Sequence, residues 1–292
     1  MKLKTFVLFC AAVLASIPMS AQTTYNFTAL NYPHAAFTQL LGINKLGKIA
    51  GYKGASVNKG FVVLGGSHFV SENYPGSAQT QVIGINNNGG TAGFYVDKAN
   101  TQHGFLDDLG KFTNVDFPGT TLNQLLGRND LHQAAGYYAD SNGIFHPYIY
   151  NEKGGVFEEI VIPAATGGAQ ATGINDSQAV TGFYIDGGNV SHGFLLSAGT
   201  LTTLDFPGST GTAALSLNNL GQVVGTYTDG GGVHGFVWNK GTFQEVDDPN
   251  GAGETTLNGI NDNGVLVGFW MPSGNISNGF IATPAGAEVV QP

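Results

Sequence analysis

The sequence predicts an all-β fold, a six-bladed β-propeller built from four-stranded antiparallel blades. Three observations lead to this prediction. A unit of about 43 residues occurs six times, each unit holds four short β-rich runs, and the strand missing from the last unit stands at the start of the chain. A repeat of this length is typical of an array of identical supersecondary units. The period therefore predicts the architecture before any single residue is considered.

A Gly-Ile-Asn-like tripeptide marks each unit. It ends at Asn44, Asn86, Asn129, Asn175, Asn218 and Asn261. The gaps between successive asparagines range from 42 to 46 residues, so the register hardly drifts along the chain. We predict a single domain over residues 22–284, followed by a C-terminal tail at 285–292.

Four short β-rich runs separated by turn signals make up each unit, and the fourth copy shows them clearly. Its predicted strands are residues 170–175, 179–185, 191–197 and 201–206. Gly, Asn, Asp and Pro separate these runs, as in an antiparallel meander. No stretch has a sustained 3.6-residue apolar period, so we expect almost no helix. A four-stranded meander repeated at this length is the pattern of a propeller blade.

The two ends of the chain predict how the ring closes. Residues 25–33 form an orphan fourth strand with no blade before it, whereas the last copy has three strands and lacks a fourth. We predict that residues 25–32 pair with residues 277–282. Such pairing would join the ends of the ring and remove an exposed sheet edge.

The first residues have the pattern of a secretory signal peptide. Lys2 and Lys4 precede an apolar run that ends near Ile17, and small residues follow up to Ala21. We predict a signal peptide over residues 1–21 and a secreted or periplasmic mature protein. Cys10 lies within the apolar run, so the mature chain has no cysteine for disulfides or thiolate metal sites.

Composition excludes several classes of partner. Without Lys2 and Lys4, the mature chain has 9 basic and 20 acidic residues, a formal charge of −11. A chain this poor in cations is unsuited to neutralising phosphates, so we expect no nucleic-acid partner. No later segment has the roughly 18 unbroken apolar residues of a membrane helix, so we expect no membrane span. We expect a monomer.

The repeat resembles the HAF-repeat family of extracellular bacterial proteins. The resemblance rests on the Gly-Ile-Asn tripeptide and on the His-Gly-Phe runs that start at His103, His192 and His234. It also rests on the Gly-Phe-Tyr runs that precede the His-Gly-Phe runs in the same unit. This chain has Gly where the family name has Ala. Membership implies secretion and a repeat architecture, and it brings no established reaction or catalytic residue.

Aspartate and histidine recur at the two ends of one predicted hairpin. The aspartates end the second strand and the histidines begin the third, in the pairs Asp97 and His103, Asp140 and His146, Asp186 and His192, and Asp229 and His234. A carboxylate that orients an imidazole is the arrangement that metal sites and general bases require. Because a catalytic site is usually singular, we interpret the repeated pair as a clip for the hairpin, with a ligand-binding or metal-binding role as the alternative.

Aromatic residues stand just before these aspartates, at Tyr95, Tyr138, Tyr184, Tyr227 and Trp270. Exposed on one face, they would stack on sugar rings while Asp and His bond hydroxyl groups. Buried, they would pack the blades together, which is the interpretation we favour because aromatics dominate cores.

Two further features concern the centre of the ring. Gln39, Gln81, Gln124 and Gln170 share one position in the innermost strand, which we interpret as the lining of a hydrated channel. Arg128 occupies a position that is Ile or Leu in the other copies, where a charge needs a partner or water.

The sequence thus predicts a secreted, non-catalytic binding or interaction module. Extracellular glycan or a cell-surface protein is the expected partner, contacted at the face that carries the Asp/His hairpins and the Pro-Gly loops. A lyase or glycoside hydrolase that uses this face is one alternative, and a structural envelope protein is another. Metalloprotease, α/β-hydrolase, nucleotide-binding and EF-hand motifs are absent from the sequence. We therefore expect no cofactor and no metal.

Overall fold

The fold consists of strands and turns throughout the part of the chain that the structure describes. The computed structural model describes residues 22–251, 253–272 and 276–286, so the predicted signal peptide and most of the predicted tail lie outside the description. Within these ranges the chain forms 24 β-strands and no helix long and apolar enough to cross a bilayer.

The strands follow the repeat in register, four to each blade. The N-terminal strand is β1 (Tyr25–Ala29). Blades one to three contain β2 (Phe37–Ile43), β3 (Ile49–Gly54), β4 (Lys59–Val63), β5 (Phe69–Ser71), β6 (Gln79–Ile85), β7 (Thr91–Val96), β8 (Gln102–Asp107), β9 (Phe112–Val115), β10 (Asn123–Arg128), β11 (Gln133–Ala139), β12 (Phe145–Asn151) and β13 (Val156–Glu159). Blades four to six contain β14 (Ala169–Ile174), β15 (Val180–Ile185), β16 (Ser191–Ser197), β17 (Thr200–Leu204), β18 (Gly211–Leu217), β19 (Val223–Thr228), β20 (Val233–Asn239), β21 (Thr242–Glu245), β22 (Thr255–Ile260), β23 (Leu266–Trp270) and β24 (Asn278–Pro284).

The sheet order confirms the six-bladed propeller and its closure by the N-terminal strand. Five sheets are simple meanders of four consecutive antiparallel strands, and the sixth has the order β1-β24-β23-β22. In that sheet Tyr25 is opposite Pro284 and Ala29 is opposite Phe280. Leu30 extends the pairing because its N–H donates to the carbonyl oxygen of Gly279 at 2.8 Å. The first residues of the domain thus form the outer strand of the last blade.

The core lies between neighbouring blades and is centred on the aromatic residue of the third strand. This residue is fully buried in all six blades, at Phe61, Phe105, Tyr148, Phe194, Phe236 and Phe280. Burying one such side chain contributes roughly 1.5–3 kcal/mol, so six equivalent residues are a large part of what holds the blades together.

The glycine of the repeated tripeptide lies where innermost strands of adjacent blades approach each other. A Cβ atom on Gly42 would lie 2.5 Å from the carbonyl oxygen of Ile83, and one on Gly127 would lie 2.8 Å from the Cα of Gly173. No side chain fits at these distances. Glycine, present at this position in every blade except blade five, which has Ser216, therefore allows the inner strands to close around a narrow axis.

The asparagine of the tripeptide links each blade to the next. Its side-chain Nδ2 donates to the main-chain carbonyl oxygen of the equivalent asparagine in the following blade, at 2.9–3.2 Å. The bonds run from Asn44 to Asn86, Asn129, Asn175, Asn218, Asn261 and back to Asn44. The Oδ1 atom of each accepts two backbone N–H groups of its own turn, as Asn44 does from Leu46 and Lys48. All six asparagines are buried, so the ring is an interior network with its polar atoms paired.

Candidate functional site

One end of the propeller carries both sets of loops predicted to form a binding surface. The hairpins between the second and third strands lie here, together with the Pro-Gly loops that follow the fourth strands. Contact between the two sets is direct, since His103 at the start of β8 lies 2.8 Å from Asp116, which follows β9. We call this end the hairpin face.

All four predicted Asp/His pairs are in contact on the hairpin face. The distance from Nε2 of the imidazole to a carboxylate oxygen is 3.6 Å for His103 and Asp97, 3.4 Å for His146 and Asp140, 3.4 Å for His192 and Asp186, and 3.4 Å for His234 and Asp229. The side chains are partly exposed, with the histidines between 16% and 39% accessible. They can therefore stabilise the hairpin and still be reached by solvent.

A second aspartate binds the other ring nitrogen in three of the blades, and sequence reasoning missed it as a partner. Nδ1 of the imidazole lies 2.8 Å from Asp116 in blade two, 3.0 Å from Asp205 in blade four and 2.6 Å from Asp247 in blade five. Each aspartate follows its histidine by 13 residues, a constant offset that is a usable signal. In blade three the equivalent residue, two positions before the loop proline, is Val161, 15 residues after His146. Blades two, four and five thus carry what we call the Asp–His–Asp cluster.

The hairpin aspartates also organise the backbone of their own turn. Oδ1 of Asp186 accepts the N–H groups of Gly188 and Val190, both at 2.8 Å. The bond from Val190 is the largest cause of a lowered pKa at Asp186, and the contact with His192 lowers it further. The carboxylate is therefore ionised at neutral pH and fixed in direction.

The cluster favours a positively charged imidazole. Burial alone would lower the pKa of His192, but the hydrogen bond and charge of Asp205, followed by those of Asp186, raise it above its ordinary value. In blade five the hydrogen bond to Asp247 is the largest cause of a raised pKa at His234. In blades four and five an imidazolium between two carboxylates leaves one net negative charge, and such oxygens readily accept hydrogen bonds from hydroxyl groups.

The predicted aromatic platform is covered on both sides in blade two. The Tyr95 ring stacks on Tyr74 with centroids 3.8 Å apart, and its other neighbour is His103 at 4.9 Å. Tyr138 and Tyr227 are enclosed in the same way, by Phe117 and His146 and by Phe206 and His234. Tyr184 is buried and stacks on His192, while Trp270 packs partly buried against the core of blade six. These rings pack the blades and have no free face for a sugar ring in blades two, three and five.

The tyrosine hydroxyl groups point to the outermost strand and bond polar side chains there. The acceptor or partner is Asn114 for Tyr95, Glu159 for Tyr138, Thr203 for Tyr184 and Glu245 for Tyr227. Burial, and then the bond to Glu159, raise the pKa of Tyr138 to about 12. The phenol is thus a hydrogen-bond donor at neutral pH, and it is unsuited to act as a general base.

A cavity of about 150 Å³ lies on the propeller axis. Within the described residues it is lined by the innermost strands of all six blades, and each contributes a residue at a β-bulge: Leu41, Ile83, Leu126, Thr172, Leu215 and Asn258. The four glutamines predicted to line the channel are not among these residues. Gln39 and Gln124 instead accept hydrogen bonds from Tyr52 and Tyr137. The bulge shifts the register by one residue, which the alternation of the sequence does not reveal.

Arg128, the one charge at an apolar position of the repeat, is buried and fully partnered. Its guanidinium forms two parallel bonds with Glu152, at 2.8 and 3.0 Å, and lies 2.8 Å from Asp108. Nη1 donates to the main-chain oxygens of Asp107 and Thr91 at 3.1 and 3.3 Å. The side chain therefore joins blades two and three, and its donors are used within the protein.

No protein-family profile and no curated protein sequence matches the chain. Solved structures do share its fold. AofleA from Arthrobotrys oligospora is 12% identical with a TM-score of 0.56, over 88% of this chain and 86% of that chain. Aleuria aurantia lectin in complex with Fucα1-6GlcNAc is 14% identical with a TM-score of 0.53, over 88% of this chain and 99% of that chain. TolB from Acinetobacter baumannii is 12% identical with a TM-score of 0.54, over 85% of this chain and 63% of that chain. At these identities the likeness shows the six-bladed propeller fold alone.

Proposed function

We propose that the protein is a non-catalytic glycan-binding module that contacts its ligand with the hairpin face. The observation that carries the proposal is the Asp–His–Asp cluster, a partly exposed group of hydrogen-bonding side chains that recurs in three blades. The fold supports it, because one of the structures described above, Aleuria aurantia lectin, is a six-bladed fungal lectin in complex with a fucosylated disaccharide.

Recognition at this face rests on hydrogen bonds to hydroxyl groups. The fixed oxygens of Asp186 and Asp205 are acceptors, and the imidazole of His192 is oriented between them. Because the tyrosine rings are stacked on both sides in blades two and five and Tyr184 is buried in blade four, an aromatic platform contributes little, and each site is expected to be weak. Three equivalent weak sites on one face gain avidity on a polymer that presents many copies of one sugar.

Charge indicates which class of glycan fits. The mature chain carries a formal −11, and each cluster adds local negative charge to the hairpin face. A carboxylated or sulfated polymer would be repelled at low salt. A neutral polysaccharide, or one with amino groups, is therefore the preferred ligand class.

The location of the protein is part of the same proposal. Residues 1–21 have the signal-peptide pattern, and the repeat resembles that of the HAF-repeat family of extracellular bacterial proteins. Delivery to the periplasm or the outside would bring the hairpin face to envelope or environmental polysaccharides. The repeated cluster supports a binding module over a lyase or hydrolase, since a catalytic site is expected in one blade only.

The proposal is tested on an array of neutral, basic and acidic glycans that includes methyl α-L-fucoside. The test variant is Asp116→Asn, Asp205→Asn and Asp247→Asn together, which installs the residue that blade one has at this position, Asn73. Asp130→Asn, Asp176→Asn and Asp262→Asn together form the matched control. This triple removes the same charge from the turns at the opposite end of the propeller, where blades two and five already have Asn87 and Asn219.

Binding of neutral glycans by the wild type, lost in the first triple variant and kept in the control, is the expected result. Two results would refute the proposal: no binding on the array, or equal binding by all three folded proteins. A wild type that degrades a glycan during the assay would favour the lyase or hydrolase alternative, and complete inertness would favour the structural envelope protein.

A further inference from the structure

Blade five differs from the other blades in one side chain at its cluster. Glu245 precedes Asp247 by two residues on β21, and blades two and four have Asn114 and Thr203 at the same place. Blade three has Glu159 there but lacks the second aspartate. Among the described residues, blade five alone combines an imidazole with both acidic groups of the outer strand.

Three metal-type ligand atoms converge in this blade. One donor atom each from His234, Glu245 and Asp247 lies within 4.8 Å of the other two. Zinc ligands lie about 2 Å from the ion, so two ligands of one ion are separated by at most about 4 Å. Metal binding would therefore lengthen the Nδ1–Oδ2 contact of His234 and Asp247 from 2.6 Å and bring any donor pair that is farther apart than about 4 Å closer together.

The ligand atoms are held by further hydrogen bonds, as in built metal sites. Oδ1 of Asp229 lies 3.4 Å from Nε2 of His234 and favours a proton there, so a metal at Nδ1 would displace only the proton that Nδ1 shares with Asp247. The N–H of Gly235 donates to Oδ1 of Asp247 at 2.9 Å, and the hydroxyl of Tyr227 donates to Oε2 of Glu245. Each carboxylate thus has one oxygen fixed by the protein.

The negative charge around His234 also favours a bound cation. Three carboxylates, those of Asp229, Glu245 and Asp247, surround a single imidazole. In the described part of the chain, Asp229 and Asp247 form ion pairs with His234, and none of the three carboxylates pairs with a Lys or an Arg. A bound divalent ion would offset this excess of negative charge.

We propose that blade five binds one first-row divalent cation of the zinc type through His234, Glu245 and Asp247. An imidazole nitrogen among the donors favours zinc over calcium or magnesium, which take oxygen ligands. Three protein ligands leave the fourth tetrahedral position to water. The metal site shares His234 and Asp247 with the blade-five cluster but also needs Glu245, so it is tested with Zn²⁺ alone and in the absence of any glycan.

Calorimetric titration of the metal-stripped, untagged mature chain with Zn²⁺ tests the site. Wild type should bind one ion per chain, with no comparable heat from Mg²⁺.

Glu245→Thr, which installs the residue of blade four, should weaken binding at least about tenfold. Thr203→Glu, which gives blade four the donor set of blade five, should raise the stoichiometry to two. Glu158→Thr, the loss of an exposed glutamate from β13 of blade three, is the matched control and should bind like the wild type.

Circular dichroism and the thermal midpoint in EDTA show whether each variant is folded. The proposal is overturned if the wild type has no saturable Zn²⁺ binding, if folded Glu245→Thr binds as tightly as the wild type, or if folded Thr203→Glu still binds a single ion. None of these outcomes depends on whether the protein binds a glycan.

Discussion

Nδ2 of Asn261 donates a hydrogen bond to the main-chain oxygen of Asn44 at 3.1 Å, and this bond joins the last blade to the first. Five equivalent bonds connect the other neighbouring blades, so the network has no end. The repeated asparagine is thus explained by the closed ring. Its oxygen orders the local turn and its nitrogen connects one blade to the next.

Replacing Asn261 by Ala should destabilise the protein by about 1–3 kcal/mol. The change removes the bond to Asn44 and leaves the two N–H groups that the Asn261 oxygen accepts, from Asn263 and Val265, without their partner. Chemical denaturation measures the loss. Asn263→Ala is the control, because this side chain is exposed on the same turn and should change stability by no more than about 0.5 kcal/mol. Equal effects of the two changes would contradict the role of the ring.

Deleting residues 22–31 should make the protein aggregate. The deletion removes β1 and uncovers the edge of β24, which leaves blade six with three strands and an unpaired row of backbone groups. It also removes the edge-on contact of Phe27 with Phe280, whose centroids lie 5.1 Å apart. Size-exclusion chromatography and the thermal midpoint report the outcome. A monomeric truncated protein with unchanged midpoint would show that closure contributes little.

Arg128→Ile should destabilise the protein by about 3 kcal/mol even though it restores the residue type of the other blades. The change leaves Glu152 largely buried without its bidentate partner. Adding Glu152→Gln should recover most of the loss, because the uncompensated charge is then gone. Denaturation midpoints of the single and double variants decide the matter. A stable Arg128→Ile protein would mean that the arginine is dispensable and that the repeat has simply diverged here.

The fold was predictable from sequence because every blade repeats the same pattern of four strands and connecting turns. The site was predictable only in part. Asp186 and His192 flank one hairpin, so their contact follows from strand pairing. The contact of His192 with Asp205 crosses from the third strand to the loop after the fourth, and only the constant 13-residue offset indicates it. The bulge between Leu40 and Gly42, which places Leu41 in the lining of the central cavity, is not indicated by the alternation of the sequence.

His192 should make stability fall as pH rises. Its folded-state pKa is raised by Asp205 and Asp186 above the ordinary value near 6.5, so the native state binds the proton more tightly than the unfolded chain. The resulting stabilisation is fully present below pH about 6.5 and is lost as the pH rises through the folded-state pKa. Unfolding free energies of the wild type and of His192→Asn, measured from pH 5.5 to 8.5, should therefore converge toward high pH.

The exposed His68 supplies the control for this pH dependence. The described residues give it no contact with a carboxylate, so His68→Asn serves as the reference for a histidine-to-asparagine change without an acidic partner. A difference between wild type and His192→Asn that does not vary with pH would show that the two aspartates do not bind the imidazolium preferentially in the folded protein.

The number of sugar-binding sites on one chain tests the central claim most directly. Calorimetric titration of the metal-stripped chain with the monosaccharide that gives the strongest array signal should yield three weak, equivalent sites, one for each Asp–His–Asp cluster in blades two, four and five. Asp116→Asn, Asp205→Asn and Asp247→Asn, each introduced alone, should each reduce the count by one and leave the affinity of the remaining sites unchanged. A wild type with no sites, or a count that none of the three single changes lowers, would contradict glycan binding by the repeated cluster.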